Sequence, residues 1–342
     1  MKRLPVVWLV AVTVLLAVLI LLPVSGFTAQ LDNWERITST PWNAAGGLGQ
    51  ATAYTGDSIY VVRAYSTGPI DFWVYSFSTN GWNRLAVPEN LPRPKNGTAL
   101  AWNGEGVIYV LFGGAYNDLD RRYFGRFDIP EGNWTFLSET PQPQGAGDAL
   151  AYAHVDGARY LYALVGAEMK QRSGARSAFL RYDICANEWA DLNTMPLGWC
   201  CVDDGAALTW DGGHHLYALH GCDCGDNPTC DFARYDLQTG EWRSLAPVPE
   251  PVNDGGSLVW DRGKWIYAIT GGNGEKESDG LGFYRFSLET LSWDTSLPKL
   301  PCPVGEWNGN RLGMYNDRVF FWQGSSKGRL GGGKGIWMLW GK

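Results

Sequence analysis

The amino-acid sequence predicts an all-β protein, a six-bladed propeller of four-stranded repeats, and three observations support this prediction. The 342 residues include 44 Gly, 18 Trp and 16 Tyr but only 18% charged residues, a composition rich in turn formers and aromatic side chains. A shared aromatic pattern recurs about every fifty residues, a period typical of propeller blades. The last repeat lacks one strand, and the segment before the first repeat resembles the missing one.

The repeat is marked by an aromatic residue followed seven positions later by tryptophan. Before each such pair lie a small-residue run ending in an aromatic, a Gly/Asp/Asn turn, and an apolar run. Short apolar runs separated by turns of this kind are typical of antiparallel strands. Each repeat therefore predicts four strands, A to D from the inside outwards, as at 205–210, 215–220, 232–237 and 241–246. The pairs are Tyr75 and Trp82, Phe127 and Trp134, Tyr182 and Trp189, Tyr235 and Trp242, and Phe286 and Trp293.

The two ends of the chain predict how the ring closes. Segments 311–315, 319–323 and 335–340 supply strands A to C of a sixth repeat, and no fourth strand follows. The residues around Trp34 resemble the outer strands around Trp134 and Trp242, so the N-terminal strand is predicted to complete the last blade. Closure of this kind leaves no unpaired inner edge, and a loose pair of β-sandwiches would not predict the complementary deficit. The predicted bounds are a leader at 1–25 and a propeller at 26–342, with blades at 46–92, 95–144, 145–198, 201–251, 252–301, and 305–342 plus 31–41.

Residues 31–342 resemble the kelch-repeat propeller family, whose mark is a double glycine after strand B, followed by Tyr and Trp at fixed spacing. Gly113-Gly114 and Gly271-Gly272 match that mark, whereas blades 3 and 4 keep one glycine each, Gly166 and Gly221. Blade 1 has Arg63-Ala64 instead. The resemblance, which includes galactose oxidase-like propellers, implies the fold and leaves the function open.

The first residues predict a membrane signal. Lys2 and Arg3 precede an apolar stretch from residue 4 to residue 24, which is longer than a usual signal peptide and near the roughly 20 residues that cross a bilayer. The sequence favours an uncleaved signal anchor over a cleaved signal peptide, with the propeller on the extracytoplasmic side, or secreted if cleavage occurs. A net charge of −7 without basic clusters argues against a nucleic-acid partner.

Six of the seven cysteines are predicted on the face formed by the B–C and D–A loops. In an oxidising compartment such a set favours disulfides that hold long loops together. The alternative is a metal site built on Cys222-x-Cys224 and Cys230, joined by Cys200 or Cys201 and by His220, although its spacing matches zinc sites poorly. Cys185, on the opposite face, is predicted to be an unpaired thiol or an intermolecular link. The disulfide candidates are Cys200, Cys201, Cys222, Cys224, Cys230 and Cys302.

A recurring Asn or Asp before each strand A predicts a polar ring at the mouth of the central channel. Converging carboxylates could hold Ca²⁺ or a polyhydroxylated ligand, whereas a residue that recurs in blade after blade is also typical of capping its own turn. The repeated tryptophans are predicted to pack between blades. Trp42, Trp199 and Trp307 lie outside the repeat and could be platforms for a sugar or peptide. The ring residues are Asn96, Asp148, Asp204, Asp254 and Asn310.

No nucleophile elbow, phosphate-binding loop or HExxH motif is present. Among kelch-like enzymes, copper-radical galactose oxidases need two histidines on the ligand face, where this sequence places only His220. Six-bladed sialic acid mutarotases need an acid–base pair at the channel mouth, which Asp204, Asp254, Glu306 or Arg93 could supply. The leading hypothesis is a recognition or scaffold module that binds a protein or glycan through its outward loops, and the alternative is a carbohydrate-active enzyme. Two sequons begin at Asn133 and Asn96, and Asn133 is the predicted glycan acceptor.

Overall fold

The structure is a computed structural model that describes residues 33–42, 47–65, 69–114, 120–166, 177–199, 201–223, 225–272, 280–304, 311–323 and 335–340. The chain divides into two units, 1–30 with 342, and 31–341, and all described residues belong to the second. The predicted leader lies outside the described residues. Within the described part, no helix has the length and apolar character needed to span a bilayer.

The described residues form six four-stranded antiparallel sheets, one for each blade. Blade 1 contains β2 (Gly47–Tyr54), β3 (Ser58–Tyr65), β4 (Ile70–Ser76) and β5 (Gly81–Leu85). Blade 2 contains β6 (Ala99–Trp102), β7 (Val107–Leu111), β8 (Phe124–Asp128) and β9 (Asn133–Phe136). Blade 3 contains β10 (Ala149–Val155), β11 (Ala158–Val165), β12 (Ala178–Asp183) and β13 (Glu188–Asp191). Blade 4 contains β14 (Ala207–Trp210), β15 (His215–Leu219), β16 (Phe232–Asp236) and β17 (Trp242–Ser244). Blade 5 contains β18 (Ser257–Trp260), β19 (Trp265–Ile269), β20 (Phe283–Ser287) and β21 (Trp293–Asp294).

Blade 6 is built from both ends of the described chain. Its strands β22 (Leu312–Tyr315), β23 (Arg318–Trp322) and β24 (Gly335–Trp340) are completed by β1 (Asn33–Ser39). Strands β1 and β24 are antiparallel, with Trp34 opposite Leu339 and Arg36 opposite Trp337. The predicted all-β six-bladed propeller and its closure by an N-terminal strand are therefore confirmed.

The hydrophobic core lies between the blades, in six clusters that each join two neighbours. At five of the interfaces, the outer-strand tryptophan packs against a phenylalanine near the start of strand C of the preceding blade. Ring centroids in these pairs are about 5 Å apart, a separation typical of aromatic packing. The predicted packing role of the repeated tryptophans is thus confirmed at these interfaces. The pairs are Trp134 with Phe72, Trp189 with Phe124, Trp242 with Phe179, Trp293 with Phe232, and Trp34 with Phe283.

Trp42 belongs to this core and is not the platform for a sugar or peptide that its position outside the repeat suggested. Blade 6 has Ile336 where the other blades place phenylalanine, and Trp42 packs edge-on against Trp82 of blade 1 at 5.1 Å. The ring also lies 4.9 Å from the guanidinium carbon of Arg63. Trp42 therefore fills space that a smaller strand residue leaves between blades 6 and 1.

Candidate functional site at the channel mouth

The turns that lead into the inner strands meet around one end of the ring. In blades 2 to 4 each turn contains a glycine with positive φ, a conformation that side chains other than glycine rarely adopt. A Cβ on Gly97 would lie 1.9 Å from the carbonyl oxygen of Gly145 in the next blade. A Cβ on Gly147 would lie 2.2 Å from that of Asp203, and one on Gly205 would lie 2.2 Å from that of Asn253. Successive turns therefore touch backbone to backbone and form a rigid rim.

Backbone hydrogen bonds show which rim residues are equivalent in blades 2, 4 and 5. The residue before each rim glycine accepts a hydrogen bond, through its carbonyl oxygen, from a backbone N–H just beyond strand B. The first glycine beyond strand B lies so close to this carbonyl that a Cβ there would be within 2.5 Å of the oxygen. In blade 4 the residue after it, Cys222, supplies the backbone N–H, so a residue other than glycine occupies the second position of the expected double glycine. The donor and acceptor pairs are Gly114 to Asn96 (3.0 Å), Cys222 to Asp204 (2.9 Å) and Gly272 to Asp254 (2.9 Å).

Asp148 does not share the position of the other ring residues. Its blade places Ala146 before the rim glycine Gly147, and Asp148 follows that glycine. One carboxyl oxygen, Oδ1, accepts hydrogen bonds from the backbone N–H of Gly166 (2.7 Å) and Gly145 (3.2 Å). The side chain is buried, and this burial raises the pKa of the carboxyl well above its usual range. Asp148 therefore caps its own turn, which was the alternative interpretation of the ring.

Two consecutive positions in each turn carry the rim side chains. They are Lys95-Asn96 in blade 2, Gly145-Ala146 in blade 3, Asp203-Asp204 in blade 4 and Asn253-Asp254 in blade 5. Counting from the strand-A aromatics does not find Lys95, Asp203 and Asn253, whereas an alignment on the rim glycines would reveal them. Asn310, the ring residue of blade 6, lies outside the described residues.

The rim is polarised, because blade 2 lies opposite blade 5 in a ring of six. Lys95 therefore stands across the mouth from Asp254, and both side chains are half-buried. Asp203 and Asn253 each accept the N–H of the following residue, at 3.0 and 2.8 Å, so these two side chains contribute to their turns. Asp204 and Asp254 are the carboxylates at the second rim position. The mouth thus has a negative side in blades 4 and 5 and a positive group on blade 2.

The negative side surrounds a buried thiol. Burial raises the pKa of Cys222, and nearby carboxylates raise it further, with Asp254 the strongest of them and Asp204 next. The Cys222 thiol donates to Oδ1 of Asn253 at 3.4 Å. Asp254 also acts on Arg311 of blade 6. Burial is the main cause that lowers the pKa of Arg311 to about 9, and the negative charge of Asp254 opposes this shift. Asp254 is therefore the carboxylate that links the thiol and the buried guanidinium electrostatically.

The cysteines do not form the expected set of disulfides. Cys222, Cys230 and Cys302 carry free thiols, and within the described part of the chain no two cysteines pair with each other. Cys201 is disulfide-bonded, and Cys200 and Cys224 lie outside the described residues. Cys185 is free and exposed, as expected for an unpaired thiol. The disulfide prediction is therefore wrong for Cys222, Cys230 and Cys302, of which Cys222 is enclosed by the packing of the rim.

Trp199 is buried and does not offer an exposed platform. Its ring stacks on His220 with centroids 4.4 Å apart and planes 6° from parallel. Nε2 of His220 donates to the carbonyl oxygen of Cys201 at 2.6 Å, and Nδ1 lies 3.2 Å from Oδ2 of Asp231. The expected aromatic platform is therefore corrected at Trp199, because this ring closes the gap between blades 3 and 4. Trp307 and Glu306 lie outside the described residues.

Over the described ranges, no group of three or more His, Cys, Asp or Glu side chains is arranged to hold a metal ion. These ranges include His220 and Cys222 of the alternative zinc site. Asn310, a residue of the predicted Ca²⁺ site, lies outside them.

Fold and rim together define a six-bladed β-propeller with a charge-polarised channel mouth. A solved structure with this architecture is that of YjhT, which superimposes with a TM-score of 0.61 at 16% sequence identity. The similarity covers 87% of this chain and 94% of that chain, and it shows the fold. No family model matches the sequence, and no curated protein matches it. The kelch resemblance therefore stays a prediction beyond the propeller fold itself.

Proposed function

We propose that the protein is a membrane-tethered extracytoplasmic recognition module that binds a glycan or a protein segment at the rim of its channel mouth. The tether and the side of the membrane rest on the leader sequence. The observation that carries the binding proposal is the uneven charge of otherwise equivalent turns. Lys95 and Asn96, Asp203 and Asp204, and Asn253 and Asp254 occupy positions that blade 3 fills with Gly145 and Ala146.

The charges are not a requirement of the turn. Blade 3 forms the same close contact with its neighbour through Gly147, and its rim positions have no charged side chain. Carboxylates and a lysine held on a rigid backbone frame are groups that orient a polar ligand. Asp204 and Asp254 would accept hydrogen bonds from sugar hydroxyls or pair with a cationic group. Lys95 would bind a carboxylate or carbonyl on the far side of the ligand.

A glycan array probed with the full-length protein in detergent tests this proposal, followed by calorimetry on any ligand found. The variant carrying Asp204→Asn and Asp254→Asn together is expected to lose roughly tenfold or more in affinity. Glu131→Gln removes a carboxylate from an exposed turn at the opposite end of blade 2 and serves as the matched control. Equal binding by the rim variant and the wild type would remove the rim from the proposal.

The same experiment tests the alternative function, a carbohydrate-active enzyme, and the predicted binding of Ca²⁺. A carbohydrate-active enzyme would convert a bound sugar, for example by interchange of its anomers, and nuclear magnetic resonance of the mixture would detect this. Repeating the binding measurement with a chelator tests whether Ca²⁺ takes part.

Asn133 supports the glycoprotein part of the proposal. It begins β9 at the surface, and Thr135 of the same sequon is also exposed. Asn96 is buried at the rim, so the structure favours Asn133 as the acceptor. Expression in a glycosylating secretory host should give a mass shift that Asn133→Gln removes.

A further inference from the structure

We infer that a second docking surface, distinct from the channel mouth, binds an extended acidic peptide in a groove formed by blade 1 and the connector that leads to blade 2. This groove is open to solvent and has a volume of about 740 Å³. It is lined by Pro69 and Ile70 at the start of β4, by the end of β5, and by the connector that follows, through Arg93. These segments lie at the same end of the ring as the rim turns.

The floor of the groove is aliphatic. Ile70, Leu85 and Val87 are half-buried and pack against the cluster between blades 1 and 2. Leu91 is buried in that cluster, and its N–H donates to the carbonyl oxygen of Pro88, which fixes the connector as a turn. Sugars are usually bound on aromatic rings, whereas an aliphatic floor suits an apolar side chain. The floor therefore favours a peptide over a glycan.

The charges at the groove favour an acidic ligand. The side chain of Arg84 is 54% exposed and pairs with Asp71 at 2.7 Å, and Arg93 is half-buried in the groove wall. Glu89 is the carboxylate among the lining residues and is exposed on the turn. The lining residues carry two guanidinium groups and one carboxylate, which is a net positive charge in a chain whose net charge is −7. Guanidinium groups bind carboxylates in a two-pronged geometry, which suits Asp or Glu side chains of a partner.

Exposed aromatic side chains extend the surface onto blade 2. Arg121 connects them to the groove, because its guanidinium donates to the carbonyl oxygen of Arg93 and lies 5.1 Å from the ring centre of Tyr123. Phe136 lies two residues after Trp134 on the same face of β9, and Trp134 packs in the cluster beneath the groove. Aromatic and arginine side chains are enriched at protein interfaces. Tyr123 and Phe136 are two of the four exposed large apolar side chains of the described residues, and the other two are Leu197 and Trp340.

The shape and chemistry together specify the occupant. An extended segment would place one apolar side chain over Ile70 and Val87 and an acidic side chain beside Arg84. Flanking residues of the segment would reach Tyr123. This surface is independent of the rim, so its test can fail or succeed without affecting the proposed ligand at the mouth.

Selection from a phage-displayed library of random short peptides on the full-length protein tests the inference. The expected result is enrichment of peptides in which Asp or Glu lies within a few positions of Leu, Ile or Phe. Enrichment of basic peptides, or of no peptide class, would overturn it. A synthetic copy of the strongest peptide is then measured by fluorescence polarisation against variants of the protein.

Three variants and one control identify the site. Arg84→Glu and Val87→Glu should each weaken peptide binding roughly tenfold or more, because they place a negative charge beside the acidic ligand. Glu89→Lys, on an exposed turn, should tighten peptide binding a few-fold. This variant tests whether the peptide lies in the groove even if another variant fails to fold. Arg243→Glu reverses an exposed charge on the outer strand of blade 4 and should bind as the wild type does.

The remaining outcomes contradict the inference. Peptide binding that Glu89→Lys does not tighten and that Val87→Glu does not weaken places the peptide elsewhere. Concentration-dependent dimerisation abolished by the groove variants would assign the groove to a second copy of the chain. Glycan binding lost in the same variants would assign it to a sugar.

Discussion

Blades 2 and 3 stabilise the same rim turn with different polar side chains. Thr98 and Asp148 each follow a rim glycine and each bond back to the residue three positions earlier. The hydroxyl of Thr98 accepts the N–H of Lys95 at 3.0 Å and lies 2.6 Å from the carbonyl oxygen of Lys95 and 3.0 Å from that of Phe112, to one of which it donates. The carboxyl of Asp148 accepts two backbone N–H groups instead, from Gly145 and Gly166.

The difference shows what the position requires. Either side chain joins the turn to the end of strand B, so the position needs a short polar group and no particular charge. The carboxyl in blade 3 has a further oxygen, Oδ2, that is buried without a hydrogen-bond partner. Burial without a counter-charge favours the neutral acid, which is why the pKa of Asp148 is raised. Blade 3 is therefore expected to depend on pH where blade 2 does not.

The largest effect is expected from Gly166→Ala. A Cβ there would lie 1.6 Å from the carbonyl oxygen of Ala146, so the turn and strand B must separate. We expect a loss of more than about 4 kcal/mol in the free energy of unfolding, measured by denaturant titration. Gly157→Ala is the control, because that glycine has φ +83° but nothing within 4 Å of a Cβ. The control should lose only about 1 kcal/mol, and equal losses would show that the close approach is unimportant.

Asp148→Ala should cost less, about 2 kcal/mol, because two buried N–H groups lose their acceptor. Thr98→Ala removes one hydroxyl hydrogen bond, while the N–H of Lys95 keeps the carbonyl oxygen of Phe112 as an acceptor at 3.0 Å, so this variant should cost about 1 kcal/mol. Thermal and denaturant unfolding of both variants at pH 5 measures this order. A larger loss in Thr98→Ala than in Asp148→Ala would contradict the proposed equivalence of the two residues.

A smaller effect is expected from pH. Because the folded pKa of Asp148 lies above the unfolded value of about 3.9, its contribution is complete below that value and is lost as pH rises towards the folded pKa. The wild type should therefore lose stability relative to Asp148→Asn as pH increases from about 4. The contribution of Asp223 to stability should depend on pH in the opposite direction, because the backbone N–H groups of Asn227 and Gly225 lower the pKa of its carboxyl. Asp223→Asn should therefore cost stability above about pH 4 and little below it. A flat difference between wild type and Asp148→Asn over pH 4 to 8 would refute the neutral buried carboxyl.

The smallest effect is expected from Asp148→Thr, which gives blade 3 the residue of blade 2. The hydroxyl can accept the N–H of Gly145, so the loss should be well below that of Asp148→Ala and should not change with pH. Calorimetric melting temperatures at two pH values decide this. A loss as large as that of Asp148→Ala would mean that the turn of blade 3 specifically needs two acceptors.

Much of the architecture could be predicted because it depends on the spacing of residues within each repeat. The aromatic-to-tryptophan interval fixes the pairing of strands C and D, and Trp34 repeats the outer-strand pattern far from its blade. The residues of the candidate site at the channel mouth were harder to predict from the sequence. Counting from strand-A aromatics grouped Asp148 with Asp204, although the turn of blade 3 places them two positions apart.

The sequence by itself determined the number of blades, the order of strands and the closing role of the segment around Trp34, because each depends on periodicity along the chain. Only the tertiary structure decided that Trp42 and Trp199 are buried and that Cys222 is a free thiol. These features depend on residues of different blades approaching within van der Waals distance. No spacing within one blade records that approach.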